Sequence, residues 1–388
     1  MRNWNFHIAT LLFVMSITFS LLSQSPFMLE TGADRILKLV WILPFSFLML
    51  TTPQSFLSNR LFPFYAFIIM MVLYAGFCQV LTGNQHFTPD IYNIFISLII
   101  TMASYNYWLH YGNYTVMRNI CIIMIVCGIL LSAELYLNIL QSADLSSKSY
   151  AYEDKNSIGQ ILLCCIFLPF MFYKPNNKNI QRVIWISSVF IFIVIVMLRS
   201  RATFISALFI IYYLFAHLSS KKTKRWMVAL FLLASIIILV NANLYELIIN
   251  GIILGGRDTT DINSLSSNRL LAFSIAFKLI PQNLWIGSGN YYVDCLPLNI
   301  LTEFGVIGLT LFAVFVIHLI YQVRKHKDES KLALTSYILL IAFLLNGLFE
   351  AYPPFGPGVK CFSLWMLYGF LLSRYNEKGE IANNSTTK

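Results

Sequence analysis

The chain has 388 residues, of which 58% are hydrophobic, 15% aromatic and only 11% charged. Soluble domains use about 45–50% apolar and about 25% charged residues, so this composition excludes a soluble enzyme, a disordered chain and a coiled coil. A net charge of +10 would suit a nucleic-acid binder in a soluble protein. In a chain this apolar it reads instead as the Lys and Arg that multispanning proteins collect in cytoplasmic loops, and no nucleic-acid partner is expected.

A bilayer-spanning helix needs about 20 consecutive apolar residues. Blocks of about that length predict spans at 8–24, 36–52, 61–81, 92–108, 119–140, 157–173, 183–198, 202–218, 226–241, 297–321, 332–349 and 359–374. The blocks lack period-2 alternation, which argues for helices over barrel strands. The opening segment, Met1–His7 before an apolar run, resembles a signal peptide but lacks a small-residue cleavage site, so it reads as the first membrane anchor. No hydrophilic region is long enough for a separate soluble domain. The predicted fold class is therefore all-α: a polytopic transmembrane helical bundle of about twelve helices, with residues 1–388 as one integral membrane domain.

Loop charge sets the orientation. With the N-terminus inside, 17 of the 27 basic residues fall on the cytoplasmic side, led by the clusters Lys221–Arg225 and Arg324–Lys331. Acidic residues lean outward: Asp328, Glu329, Glu377 and Glu380 lie inside, Glu134 sits within a span, and twelve lie outside. Both termini are predicted cytoplasmic. The seven cysteines show no metal-ligand spacing. Cys121, Cys127, Cys164, Cys165 and Cys361 lie in or beside apolar segments, where a thiol packs as a small hydrophobe. The adjacent Cys164 and Cys165 suit neither a structural disulfide nor a CxxC redox site.

The outer side carries the informative sequence. A polar loop from Gln141 to Asn156 ends in Glu153-Asp154-Lys155-Asn156. A long outer loop, residues 242–296, joins the ninth and tenth spans. Its amphipathic stretch Arg269–Ile280 reads as a helix lying on the membrane or capping a cavity. Long loops without a span of their own are usually functional.

Between two apolar blocks stands Arg199-Ser200-Arg201. Charges at membrane depth are costly and are placed there for a partner or a wet cavity. A helix starting near Ala202 would aim its N-terminal dipole and free amides at the same spot as the guanidinium groups. Arginine forks match phosphate oxygens in pairs, so this is a candidate anion site. The competing reading is that both arginines snorkel among lipid headgroups. The long loop adds Arg257, after Gly255-Gly256, and Arg269, after Ser266-Ser267-Asn268. Gly287-Ser288-Gly289 allows a tight turn but is no nucleotide fingerprint, because no strand precedes it. Asn299 and Glu303 are four residues apart and share a helix face. Gly305 and Gly308 are expected to let a neighbouring helix approach closely. Glu303, near the outer end of a span, is a functional candidate, or else half of a structural salt bridge with a nearby arginine.

Taken in order, Lys155-Asn156-Ser157-Ile158-Gly159, Ser200-Arg201-Ala202-Thr203, Gly256-Arg257 with Arg269, Gly287-Ser288-Gly289, and Asn299 through Gly308 resemble the O-antigen ligase and O-antigen polymerase superfamily. The resemblance covers roughly residues 150–315. It implies a bacterial inner-membrane glycosyltransferase that takes a glycan from undecaprenyl diphosphate and joins it to an acceptor on the periplasmic side. It also places Arg201 and Arg269 at the donor diphosphate, with Arg199 and Arg257 as further candidates. Ligases of this superfamily commonly carry a His just before the Asn of the Asn-x-x-x-Glu-x-Gly stretch. Here that position is Leu298, the long outer loop holds no His, and His86, His318 and His326 lie elsewhere. The missing His favours polymerase over ligase, as does the Lys-Asn-Ser-Ile-Gly stretch.

The chemistry such an enzyme needs is modest. Negative charge grows on the leaving phosphate oxygen, and preorganised arginines stabilise it. Glu303 or Asp294 would take the acceptor proton, and direct attack would invert the anomeric centre. No Asp-x-Asp-like motif occurs in an outer loop, so neither metal nor cofactor is expected. The expected partners are the lipid-linked glycan, the bilayer, and a chain-length regulator and flippase of the same pathway. A transporter of the lipid-linked unit competes from another class. It would more often show internal repeats and Gly- or Pro-broken helices near the bilayer midplane, which the sequence does not display.

Overall fold

The computed structural model describes residues 2–50, 60–84, 89–141, 155–218, 221–246, 249, 266, 268–289, 291–355 and 361–385. Among them all regular secondary structure is helical. The helices are α1 (Arg2–Leu22), α2 (Pro26–Glu30), α3 (Ala33–Val40), α4 (Ile42–Leu50), α5 (Phe62–Thr82), α6 (Pro89–Tyr111), α7 (Tyr114–Gln141) and α8 (Lys155–Phe172). They continue with α9 (Lys178–Met197), α10 (Arg201–Leu218), α11 (Lys221–Val240), α12 (Ala242–Tyr245), α13 (Arg269–Leu279), α14 (Leu296–Lys325), α15 (Lys331–Asn346) and α16 (Phe362–Ser385). Five stretches are long and apolar enough to cross a membrane: Phe62–Thr82, Tyr114–Asn138, Lys155–Phe172, Lys178–Met197 and Leu296–Lys325. Phe6–Leu22, Arg201–His217 and Lys331–Asn346 are shorter apolar helices.

Among the described residues each predicted span lies largely on helix, but the second and the tenth are divided. The run 36–52 falls into α3 and α4, which meet at the buried Trp41. Pro44 explains the division: a proline ring collides with the carbonyl four residues back, which is Val40, the last residue of α3. The Ser16 hydroxyl of α1 donates to the Trp41 carbonyl at 3.0 Å, tying the junction of the two helices to α1. Glu134, the acid within a span, also has a structural task. Its carboxylate accepts from the Phe27 amide in the first turn of α2, where helix amides lack intrahelical partners.

The core is aromatic and tightly meshed. The α6 and α16 backbones approach so closely that a Cβ on Gly369 would meet the Thr101 carbonyl oxygen at 2.4 Å. Phe67 of α5 stacks on Phe315 of α14 with ring centroids 4.0 Å apart. Phe13 of α1 stacks on Tyr107 of α6 at 4.2 Å. The segment after α15 turns back into this core, where Phe355 is buried, its carbonyl accepts from Ser97 at 3.0 Å, and the Pro354 carbonyl accepts from the Trp365 indole at 2.8 Å.

The feature that organises the candidate site is a break in α14. Gly305 has φ 67° and ψ −169°, so two half-helices meet there. The sequence predicted that Gly305 and Gly308 would admit a neighbouring helix; what Gly305 admits is the loop 284–289. Val306 donates to the Leu284 carbonyl at 2.9 Å and Ile307 to the Trp285 carbonyl at 3.3 Å. On the other side, Ser288 donates to the Thr302 carbonyl at 2.8 Å and Gly289 to the Glu303 carbonyl at 3.3 Å. The loop thus replaces bonds that the helix loses, as apolar surroundings demand. The Tyr74 hydroxyl of α5 lies 2.9 Å from the Phe304 carbonyl and 3.1 Å from that of Trp285, pinning both strands of the crossing. There is no room for a side chain. A Cβ on Gly287 would meet the Glu303 oxygen at 2.2 Å, and one on Gly305 the Trp285 oxygen at 2.4 Å.

The crossing therefore requires both glycines, each at positive φ. Gly287→Ala and Gly305→Ala are each expected to cost at least about 2 kcal/mol, from left-handed strain plus backbone overlap. The double variant should fall short of their sum, because both disrupt one contact. Gly76→Ala, in α5 with open space around it, should be neutral or stabilising by up to about 1 kcal/mol. Thermal unfolding of the detergent-solubilised protein checks all four.

Candidate functional site

Two sequence-predicted groups assemble separately, and a third element connects them. The first group forms where α8 and α10 begin. Ser200 caps α10: its hydroxyl accepts from the Thr203 amide at 3.3 Å and its carbonyl from the Phe204 amide at 2.9 Å. The same hydroxyl donates to Asn156 Oδ1 at 2.6 Å, across 44 residues of chain, and lies 2.8 Å from Thr203 Oγ1. A Cβ on Gly159 would meet Thr203 Oγ1 at 2.7 Å, so the first turns of α8 and α10 pack without a spacer. Two helix N-termini therefore converge, and Lys155, Arg199 and Arg201 all stand on this junction.

Convergent helix N-termini carry partial positive charge and outward-facing amides. Three cationic side chains reinforce that sign, so the junction suits a polyanion. Arg199 adopts φ 54° and is only 8% exposed. A non-glycine residue held in that conformation persists only where its surroundings dictate it. Its burial counts against the reading in which Arg199 snorkels among headgroups. Arg201 is half-buried.

The second group surrounds the start of α14. Arg269, the first residue of α13, places its Nε 3.6 Å from Asp294 Oδ2. Tyr292 donates to Asp294 Oδ1 at 2.7 Å. Partial burial and then the neighbouring Asp294 carboxylate push the Tyr292 phenol above its ordinary range, with Tyr352 and Glu350 adding to the effect. Asp294 is thus engaged on both oxygens. Arg269 is paired with Asp294. Asn299 is buried, and its Oδ1 accepts from the Val293 amide at 2.9 Å. That bond ties the loop carrying Asp294 to α14, which makes Asn299 an anchor. Glu303 is buried at 3% exposure, one turn further along α14 and directly before the break. Arg257 lies outside the described residues.

The C-terminal turn of α15 touches both groups. Ser206, in the second turn of α10, donates to the Ala342 carbonyl at 3.0 Å, and Asn346 Nδ2 lies 3.3 Å from the Ser206 oxygen. Just beyond, the carbonyls of Gly347 and Glu350 accept from the Leu296 amide at 2.7 and 3.0 Å. Glu350 itself is 5% exposed. Sequence reading passed over Glu350, Tyr292, Tyr74 and Asn84, whose side-chain amide donates to the Ser288 carbonyl at 3.0 Å. For Glu350 a signal existed, since an acid at the end of an apolar span is costly to bury. The others had none, because tyrosine and asparagine at span ends are ordinary.

No family model matches the chain, and no characterised protein matches it in a sequence search.

The geometry separates anchoring from chemistry. Asn299→Ala leaves the buried Val293 amide unpaired and should cost about 1–3 kcal/mol. Arg269→Ala and Asp294→Ala break a partly exposed pair and should each cost less than about 1 kcal/mol. Unfolding midpoints of the three purified variants check that order.

Proposed function

We propose that the chain is a polymerase of lipid-linked glycan repeat units: an inner-membrane glycosyltransferase of about twelve spans, working on the periplasmic face with both termini cytoplasmic. The observation that carries this reading is the Asn156–Ser200 junction, where two helix N-termini meet among Lys155, Arg199 and Arg201. It joins two of the segments on which the superfamily resemblance rests, and its charge suits a diphosphate. Leu298 in place of the ligase histidine supports polymerase over transfer to lipid A-core. Against a transporter stands the place of the α14 break. No broken helix was expected and one exists, but Val306–Lys325 beyond it still covers about 30 Å at ~1.5 Å per residue. That is close to a whole hydrocarbon thickness, which supports a discontinuity at a membrane boundary over one at the midplane.

In this reading the donor is a glycan on undecaprenyl diphosphate. An acceptor hydroxyl of a second lipid-linked unit attacks the anomeric carbon. The bond from that carbon to the diphosphate oxygen breaks, and the configuration inverts. Arg201, Arg199 and Lys155 receive the charge that develops on the departing diphosphate. The hydroxyl proton passes to Glu303, buried in the turn before the α14 break. Arg269 assists at the donor from the rim, and alignment of the two lipid-linked substrates in the bilayer supplies much of the remaining acceleration. A flippase delivering the units and a chain-length regulator are the partners this activity requires.

The test uses purified protein in liposomes with lipid-linked repeat units and no lipid A-core. Wild type should elongate the units. Arg201→Ala should abolish elongation at normal membrane levels, and Arg201→Lys should fail substantially, since an ammonium presents no planar fork to two oxygens. Glu303→Gln should lower turnover by about 10²–10⁴ while donor binding stays near normal. Full elongation by Arg201→Ala would remove the junction from the site, and near-normal turnover by Glu303→Gln would remove Glu303 as the base.

A further inference from the structure

The loop that crosses the α14 break also carries an apolar surface with no protein cover. Leu284 and Trp285 are 42% and 64% exposed, and Leu270, Leu271, Ile275 and Phe277 of α13 are 43%, 55%, 39% and 62% exposed. The opposite side of α13 is turned inward, with Ala276 fully buried. Depth is fixed by α14. Its last turn carries Arg324 and Lys325, which mark one membrane boundary. From there back to Val306 the helix rises about 30 Å at ~1.5 Å per residue, which brings Val306 to the opposite boundary of a hydrocarbon core about 30 Å thick. The Leu284 and Trp285 carbonyls are bonded to Val306 and Ile307, so these two side chains stand at that boundary. Tryptophan is favoured at this level, where its apolar ring and indole N–H meet both media. α13 runs into Leu284 through the short turn Ile280–Asn283. Ser274 and Lys278 also lie on its exposed side, and a lysine there can snorkel to headgroup phosphates along its apolar stem.

We propose that α13 and the Leu284–Trp285 segment form a fixed shelf seated in the bilayer interface, with the lipid monolayer as its partner. The shelf is held to α14 by backbone bonds, so it sits at one depth and fixes the level of Arg269, at its N-terminal end, relative to lipid phosphates. This inference does not depend on the glycosyltransferase reading.

Quenching of tryptophan emission tests it in the full-length protein, reconstituted in liposomes containing lipids brominated at acyl carbons 6,7 or 11,12. The emission difference between wild type and Trp285→Phe reports Trp285 among the seven tryptophans. A Phe277→Trp variant reports α13 independently. Both signals should be quenched by bromines at 6,7 more strongly than at 11,12, and little by aqueous iodide. Strong iodide quenching of either signal, with little effect of bromine, would overturn the shelf and make α13 a cap exposed to water. Stronger quenching at 11,12 would also overturn it, by placing the segment in the hydrocarbon interior.

Discussion

A backbone in apolar surroundings must satisfy its own hydrogen bonds, and the head of α14 is built on one breach of that rule and its repair. Gly305 interrupts α14, and the loop 284–289 fills the interruption with four backbone bonds of its own. The repair works only because Gly287 and Gly305 let two main chains touch. Once it is made, the loop from α13 to α14 no longer floats. It is fastened at the crossing, at Tyr74 of α5 and Asn84 just beyond it, and at Asn299. The carboxylates Asp294 and Glu303 are held on either side of those fastenings.

The cationic junction is positioned by a different device. Ser200 serves at once as the cap of α10 and as the bond to Asn156 at the head of α8. One hydroxyl thereby aligns two helix starts, and the cations beside it follow from the chain on either side. The C-terminal turn of α15 then lies between the junction and the head of α14, bonded to Ser206 on one side and to Leu296 on the other. Polar side chains that would be costly in isolation are buried here in contact with one another.

Much of the fold was legible in the sequence, because a span must be long and apolar and this chain has little else. Among the described residues helices lie at the expected places, and Pro44 was a visible reason for the division of the second span. The grouping of Lys155 and Asn156 with Ser200 and Arg201 was also legible, as an order of short motifs. The α14 break was not. Glycines at 305 and 308 read equally well as helix-packing positions, and only the loop's backbone distinguishes the two cases. Nor could sequence assign Arg269 to Asp294 over Glu303, since both acids lie within reach of a loop whose path was unknown. Glu350 was overlooked because its burial depends on the chain folding back after α15.

These elements describe a membrane protein in which two helix starts meet among cations and buried carboxylates stand at and beside the head of α14, and the reading proposed for it is the joining of a phosphate-bearing donor to a hydroxyl acceptor. The most direct test of that account is the glycan profile of a bacterial strain lacking this chain, resolved by gel electrophoresis of its lipopolysaccharide. Lipid A-core bearing a single repeat unit is the result the account predicts. Long glycan stranded on undecaprenyl diphosphate, or an unchanged ladder, would contradict it.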